Sequence, residues 1–78
     1  MATAVEVFVH GKDRKGIKGI GVFYYDGEVV ETDKEGIATL VIPNGDKTAI
    51  YVKGFGGNRC IYDGYISKLP KVLVYEKS

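Results

Sequence analysis

The chain has 78 residues, with 11 Lys and Arg against 10 Asp and Glu for a formal net charge of +1, and 45% of its residues are hydrophobic. That balance is not the basic footprint of a protein built to grip phosphate backbones. The length bounds the chain to one domain over 1–78, of marginal stability near roughly 5 kcal/mol, and the single cysteine, Cys60, allows no internal disulfide.

The first ten residues, MATAVEVFVH, lack the basic start and apolar stretch of a signal peptide. No apolar run approaches the roughly 20 residues of a membrane helix. The expected setting is the cytoplasm or a segment of a longer protein, with no membrane insertion. Along 5–10, Val5, Val7 and Val9 alternate with Glu6, Phe8 and His10. Period two with β-branched residues predicts a strand. A charged, solvated connection over 12–18 follows. The next strands are predicted over 19–25 and 28–32, on either side of the turn dipeptide Asp26-Gly27.

Thr32-Asp33-Lys34-Glu35-Gly36 reads as a tight connection, with Asp33 capping the turn and Gly36 supplying positive φ. A strand over 37–42 ends at Pro43, which cannot donate to a ladder, and Asn44-Gly45 turns the chain. Further strands are expected over 47–53, 60–66 and 71–75. Gly27, Gly36, Gly45 and Gly54 recur at nine-residue intervals, the spacing of a short strand plus a turn. Eleven glycines and two prolines leave almost no room for a helix of about 11 residues. The fold class is therefore all-β, a seven-strand sandwich with essentially no α-helix.

Alternation drafts an inward set of Val5, Val7, Val9, Ile17, Ile20, Val22, Val30, Ala38, Leu40, Ile42, Ile50, Val52, Val72 and Val74. The opposite set is unusually apolar: Phe8, Phe23, Tyr25, Ile37, Val41, Tyr51, Leu73 and Tyr75. Monomers seldom expose a contiguous apolar patch of more than a few hundred Å². Either some of these faces are misassigned, or these eight residues are an interaction surface for a protein partner or a second copy.

A pattern runs from residue 5 to about 56. Gly16-Ile17-Lys18-Gly19-Ile20-Gly21-Val22 precedes Thr32-Asp33-Lys34-Glu35-Gly36-Ile37-Ala38-Thr39-Leu40, then Ile42-Pro43-Asn44-Gly45, and finally Lys53-Gly54-Phe55. It resembles the carboxypeptidase regulatory-like and transthyretin-like β-sandwich domains, most specifically in the Thr-Asp-x-x-Gly hairpin. Ile17 stands where that family usually has proline. The resemblance implies an Ig-like Greek-key sandwich and a non-catalytic accessory module. Its hydrolase members use two histidines, an arginine and a terminal Tyr-Arg-Gly-Ser. This chain has one histidine and ends Val-Leu-Val-Tyr-Glu-Lys-Ser, so that activity is not expected.

Other chemistry lacks its residues. His10 reads as an exposed strand-end histidine, and Cys60 as a small buried hydrophobe. Asp33, Glu35 and Asp63 do not have the spacing of a dedicated cation loop, and zinc-type Cys/His clusters are absent. No catalytic, metal or cofactor residues are assigned. The stretch KGFGGNR over 53–59 starts like an RNA-recognition strand but lacks the later aromatics on which bases stack. Nucleic acid is thus disfavoured. The six tyrosines leave a ligand-binding alternative, stacking on carbohydrate or on a single strand. Within the stretch, 56–58 is expected to turn the chain and Phe55 to fold over the open end of the sandwich. Phe55→Ala should then lower the melting temperature in a thermal scan, and an unchanged midpoint would refute that placement.

Overall fold

The computed structural model describes residues 2–54 and 56–77. Seven strands follow in chain order: β1 (Thr3–His10), β2 (Gly21–Tyr24), β3 (Val30–Glu31), β4 (Ile37–Ile42), β5 (Lys47–Gly54), β6 (Gly57–Tyr65) and β7 (Val72–Glu76). A turn of 3-10 helix, Ile66–Lys68, precedes the last. The strands form two sheets, β4-β1-β7 and β3-β2-β5-β6. This is the all-β sandwich that the alternation predicts, and no α-helix occurs among the described residues. In the larger sheet every pairing is antiparallel, whereas β7 joins β1 in parallel.

The core lies between the sheets. Val5, Val7 and Val9 of β1 and Ala38, Leu40 and Ile42 of β4 face Val22, Ile50 and Val52 of the other sheet, each at most 2% exposed. Registers place Leu40 beside Val5, Ala38 beside Val7, and Val52 beside Val22. Full burial of each branched side chain stabilises the fold by about 1.5–3 kcal/mol. A polar residue completes this layer. Thr32, 3% exposed, donates its hydroxyl to the Ile17 carbonyl (2.6 Å) and accepts from the Ile20 amide (2.9 Å). It thereby ties the loop ahead of β2 to the end of β3, and no buried side-chain polar atom is left unpaired among the described residues.

The chain then changes sheet through 32–36. Asp33 Oδ1 accepts from the backbone N–H groups of Glu35 (2.9 Å) and Ile37 (3.1 Å), and the Gly36 amide donates to the Asp33 carbonyl. Gly36 has φ +83°. Its backbone also packs on the opposite loop: an added Cβ would lie 2.5 Å from the Val9 carbonyl oxygen and 2.6 Å from the Gly16 Cα. Gly16 forms a bridge with His10 at this same crossing. The connection over 12–18 is accordingly more structured than a free solvated loop. It closes on itself through Gly11 N–H to the Lys15 carbonyl and Arg14 N–H to the Gly11 carbonyl, both 3.0 Å.

Several expectations need correction. Val72 and Val74, assigned inward, are 49% and 64% exposed, while Leu73 and Tyr75 pack on the core. The register decides this, because Leu73 lies beside Val7 and Tyr75 beside Val9. Val30 is 36% exposed, since β3 is a two-residue edge strand with little to cover it. His10 is not exposed but buried, its ring 5.3 Å from Phe8 and the 11–16 connection folded beside it. Cys60 is exposed rather than buried. A bulge causes this: Ile50 pairs with Tyr62 but Tyr51 with Cys60, so Ile61 is the extra residue and the phase of β6 shifts there. Asn58 lies within β6, not in a turn, because Gly54 already pairs with Gly57. Phe55, expected to cap the sandwich, lies outside the described residues.

Two of the positive-φ glycines, Gly36 and Gly19, separate strain from crowding. Gly19 has φ +82° but open space around its Cα. Gly19→Ala should cost about 1–2 kcal/mol, the conformational penalty alone. Gly36→Ala adds a backbone clash and should cost several kcal/mol more, read as the difference in denaturation midpoint. Equal losses would contradict the packing at the crossing.

Candidate interaction surfaces

The eight candidate residues do not form one patch. Phe8, Ile37 and Val41 lie on the outer face of β4-β1-β7. Phe23, Tyr25 and Tyr51 lie on the outer face of β3-β2-β5-β6. Leu73 and Tyr75 face neither outer surface but pack against the core.

The outer face of the three-stranded sheet follows from its registers. One row is Ile37, Phe8 and Val74, the next Thr39, Glu6 and Val72, and the last Val41 and Ala4. Val41, Val72 and Val74 are 59%, 49% and 64% exposed, and Phe8 and Ile37 are half-buried. Glu6 sits at the centre of this face between Thr39 and Val72, and a further row, His10 and Glu76, places a second carboxylate at its end. Val72 and Val74 were missed because Val-Leu-Val-Tyr is apolar at every position, so alternation within β7 carries no phase. Three strands spaced by about 4.8 Å, with some five residues each rising by about 3.3 Å, give a face of roughly 250 Å². That approaches the largest apolar patch of an ordinary monomer but falls well short of the roughly 800 Å² per partner of a standard interface.

The four-stranded sheet presents aromatic residues instead. The Phe23 and Tyr51 rings stack across the β2–β5 pair, centroids 5.2 Å apart and planes inclined by 25°. Tyr25, 71% exposed, follows Tyr24 at the end of β2, and its N–H donates to the Ala49 carbonyl (2.8 Å). Lys47 holds its Nζ 5.1 Å over the Tyr65 ring. The longer of this sheet's two edges, β6, is a poor template for strand addition. The bulge at Ile61 and the backbone of Gly57, at φ +132°, interrupt its flat run of donors and acceptors.

Groups capable of chemistry are scattered or engaged. His10 Nδ1 donates to the Gly11 carbonyl (2.8 Å), so that nitrogen is occupied by its own turn. The Cys60 thiol points to the Tyr62 carbonyl at 3.3 Å. Asp33 serves the turn before β4. Among the described residues no three His, Cys, Asp or Glu side chains gather as metal ligands, and no helix is long and apolar enough to cross a membrane.

Compared with protein-family models, with curated proteins and with solved structures, the chain finds no match.

The division of β7 between core and surface is directly testable. Leu73→Ala should cost about 1–2 kcal/mol, the burial of a half-covered side chain. Val74→Ala should stay within about 0.5 kcal/mol. Chemical denaturation of the two variants checks the order, and the reverse order would restore the inward assignment of the valines.

Proposed function

We propose that this chain is a non-enzymatic protein-interaction module, an accessory domain or subunit of a larger assembly, in the manner of the transthyretin-like sandwiches it resembles. The observation that carries the reading is the apolar outer face of β4-β1-β7, with Val41, Val72 and Val74 open to solvent around Phe8 and Ile37. Parallel strands are ordinarily covered on both faces and read as continuous apolar runs. β7 is such a run, Val-Leu-Val-Tyr, paired in parallel, yet only its Leu73 and Tyr75 side is covered within the chain. A partner completes the other side.

The chemistry of the face describes that partner. It offers apolar side chains to the aliphatic rim and a cation to meet Glu6 at the centre. An unpaired carboxylate at a dry interface opposes binding, whereas a matched one confers specificity. The small area of the face sets the strength. Two copies meeting through it alone bury less than a stable dimer needs, so self-association is weak and a larger partner must reach past the sheet edges.

Replacing Val41 and Val74 together by lysine should abolish partner recovery and leave the melting temperature within a few degrees of wild type, since both side chains lie outside the core. Affinity purification of the two proteins side by side, followed by binding measurements with the recovered partner, checks this. A partner that binds the lysine variant as tightly as wild type, or no partner together with a strict monomer at millimolar concentration, refutes the reading.

A further inference from the structure

The other outer face carries a feature that protein docking through β4-β1-β7 leaves unused. On the four-stranded sheet Ala49 of β5 stands between Tyr25 on one side, joined to it through the Tyr25 N–H, and Asp63 of β6 on the other. Along β5, the same-face neighbours of Ala49 are Lys47 and Tyr51. A single methyl group ringed by four larger side chains leaves a hollow, and the surface there has one of about 290 Å³, lined by Tyr25, Lys47, Thr48, Ala49, Tyr51 and Asp63. Two of its sides are aromatic. The remaining two are an ammonium and a carboxylate.

We propose that this hollow is a binding site for a neutral saccharide, seated as one ring of an oligosaccharide chain. Three observations converge on that class. The first is the pair of tyrosines. An aromatic ring offers its face to the C–H groups of a pyranose, and the hydroxyls at the ring's rim need hydrogen-bond partners. Tyr51 is held for the purpose by its stacking on Phe23. Tyr25 stands in solvent at 71% exposure, as a ring with nothing of its own chain to cover.

The second is the polar pair. Asp63 accepts from hydroxyls and Lys47 donates to them, and both are exposed. Lys47 is parked by the Tyr65 ring, with Nζ 5.1 Å from the centroid. The third is charge. One ammonium opposite one carboxylate leaves the hollow balanced, which suits a polyol. A nucleic-acid strand needs a run of cations along its path, and a carboxylate beside the stacking rings repels its phosphates. The volume falls just short of the roughly 300–1,000 Å³ of small-molecule sites, enough for about one ring with the rest of the chain passing over an open rim.

The test is an amide-shift titration of the full chain by NMR. The probes are cellopentaose, laminaripentaose, maltopentaose and N-acetylchitopentaose, with an oligothymidylate as the charged comparison. At least one neutral oligosaccharide should shift the amides of Tyr25, Ala49, Tyr51 and Asp63 with millimolar or tighter affinity. Ala49→Leu, which fills the hollow from the outer face, should weaken binding by tenfold or more. Tyr25→Ser should do likewise without touching the core, and so serves if the leucine variant misfolds. The Val41→Lys/Val74→Lys protein should bind the sugar as wild type does, which separates this site from the docking face. Absence of shifts with all four sugars, shifts that map elsewhere, or oligothymidylate binding that falls steeply with salt would each overturn the proposal.

Discussion

The register in which β7 lies beside β1 governs what this molecule shows to its surroundings. β1 is the central strand of the smaller sheet, and its inner valines fix the layer against which the other sheet packs. With Leu73 beside Val7 and Tyr75 beside Val9, β7 gives the core its two largest side chains and turns two valines outward. A shift of one residue would exchange the two sets completely. On this inner side Leu73 and Tyr75 join Ile61, Tyr62, Ile66 and Leu69 among the partly buried side chains packed against the core.

From this constraint come two outer faces of unlike chemistry. The three-stranded sheet is mostly aliphatic, with the carboxylates of Glu6 at its centre and Glu76 at its end. The four-stranded sheet is aromatic and polar, with Ala49 marking a depression between tyrosines. Each face is carried mostly on regular strands, with Tyr25 in the turn that follows β2, so most of the side chains that form it are held by ladder hydrogen bonds. The edges contribute less. β6 is bulged and glycine-bounded, β3 has two residues, and β4 runs into Pro43.

Much of the fold was legible because local signals agreed. Val5, Val7 and Val9 alternate strictly with larger or polar residues. The strand over 37–42 is bounded by Gly36 and Pro43, and its limits were read to the residue. Asp33 and Gly36 announce their turn by side-chain chemistry that needs no tertiary context. The misread positions share a different cause. β7 is apolar throughout, so only its partner could set its phase. Cys60 was misplaced by a bulge, which arises from pairing with β5 and leaves no mark in Arg59-Cys60-Ile61-Tyr62. His10 was covered by a loop whose closure depends on Gly16 meeting Gly36 across the chain.

The candidate surfaces were harder to read than the fold for the same reason. Sequence alternation identifies which residues are not in the core, but it does not say which sheet each strand joins. Phe8 and Phe23 look alike in the chain and lie on opposite sides of the molecule. The hollow on the four-stranded sheet depends on an alanine, a residue with no signal of its own, becoming the floor between tyrosines brought together by the β2–β5 pairing. Thr32 was likewise invisible as a structural tie, because its two hydrogen bonds reach Ile17 and Ile20.

Methyl relaxation by a soluble paramagnetic chelate tests the account at its root. In a methyl-labelled sample, strong relaxation enhancement is expected at Val72 and Val74, comparable with Val41, with Leu73 clearly more protected than either and Val7 the most protected. Protected valines with a solvent-relaxed Leu73 would contradict the β1–β7 register and the exposed aliphatic face that rests on it.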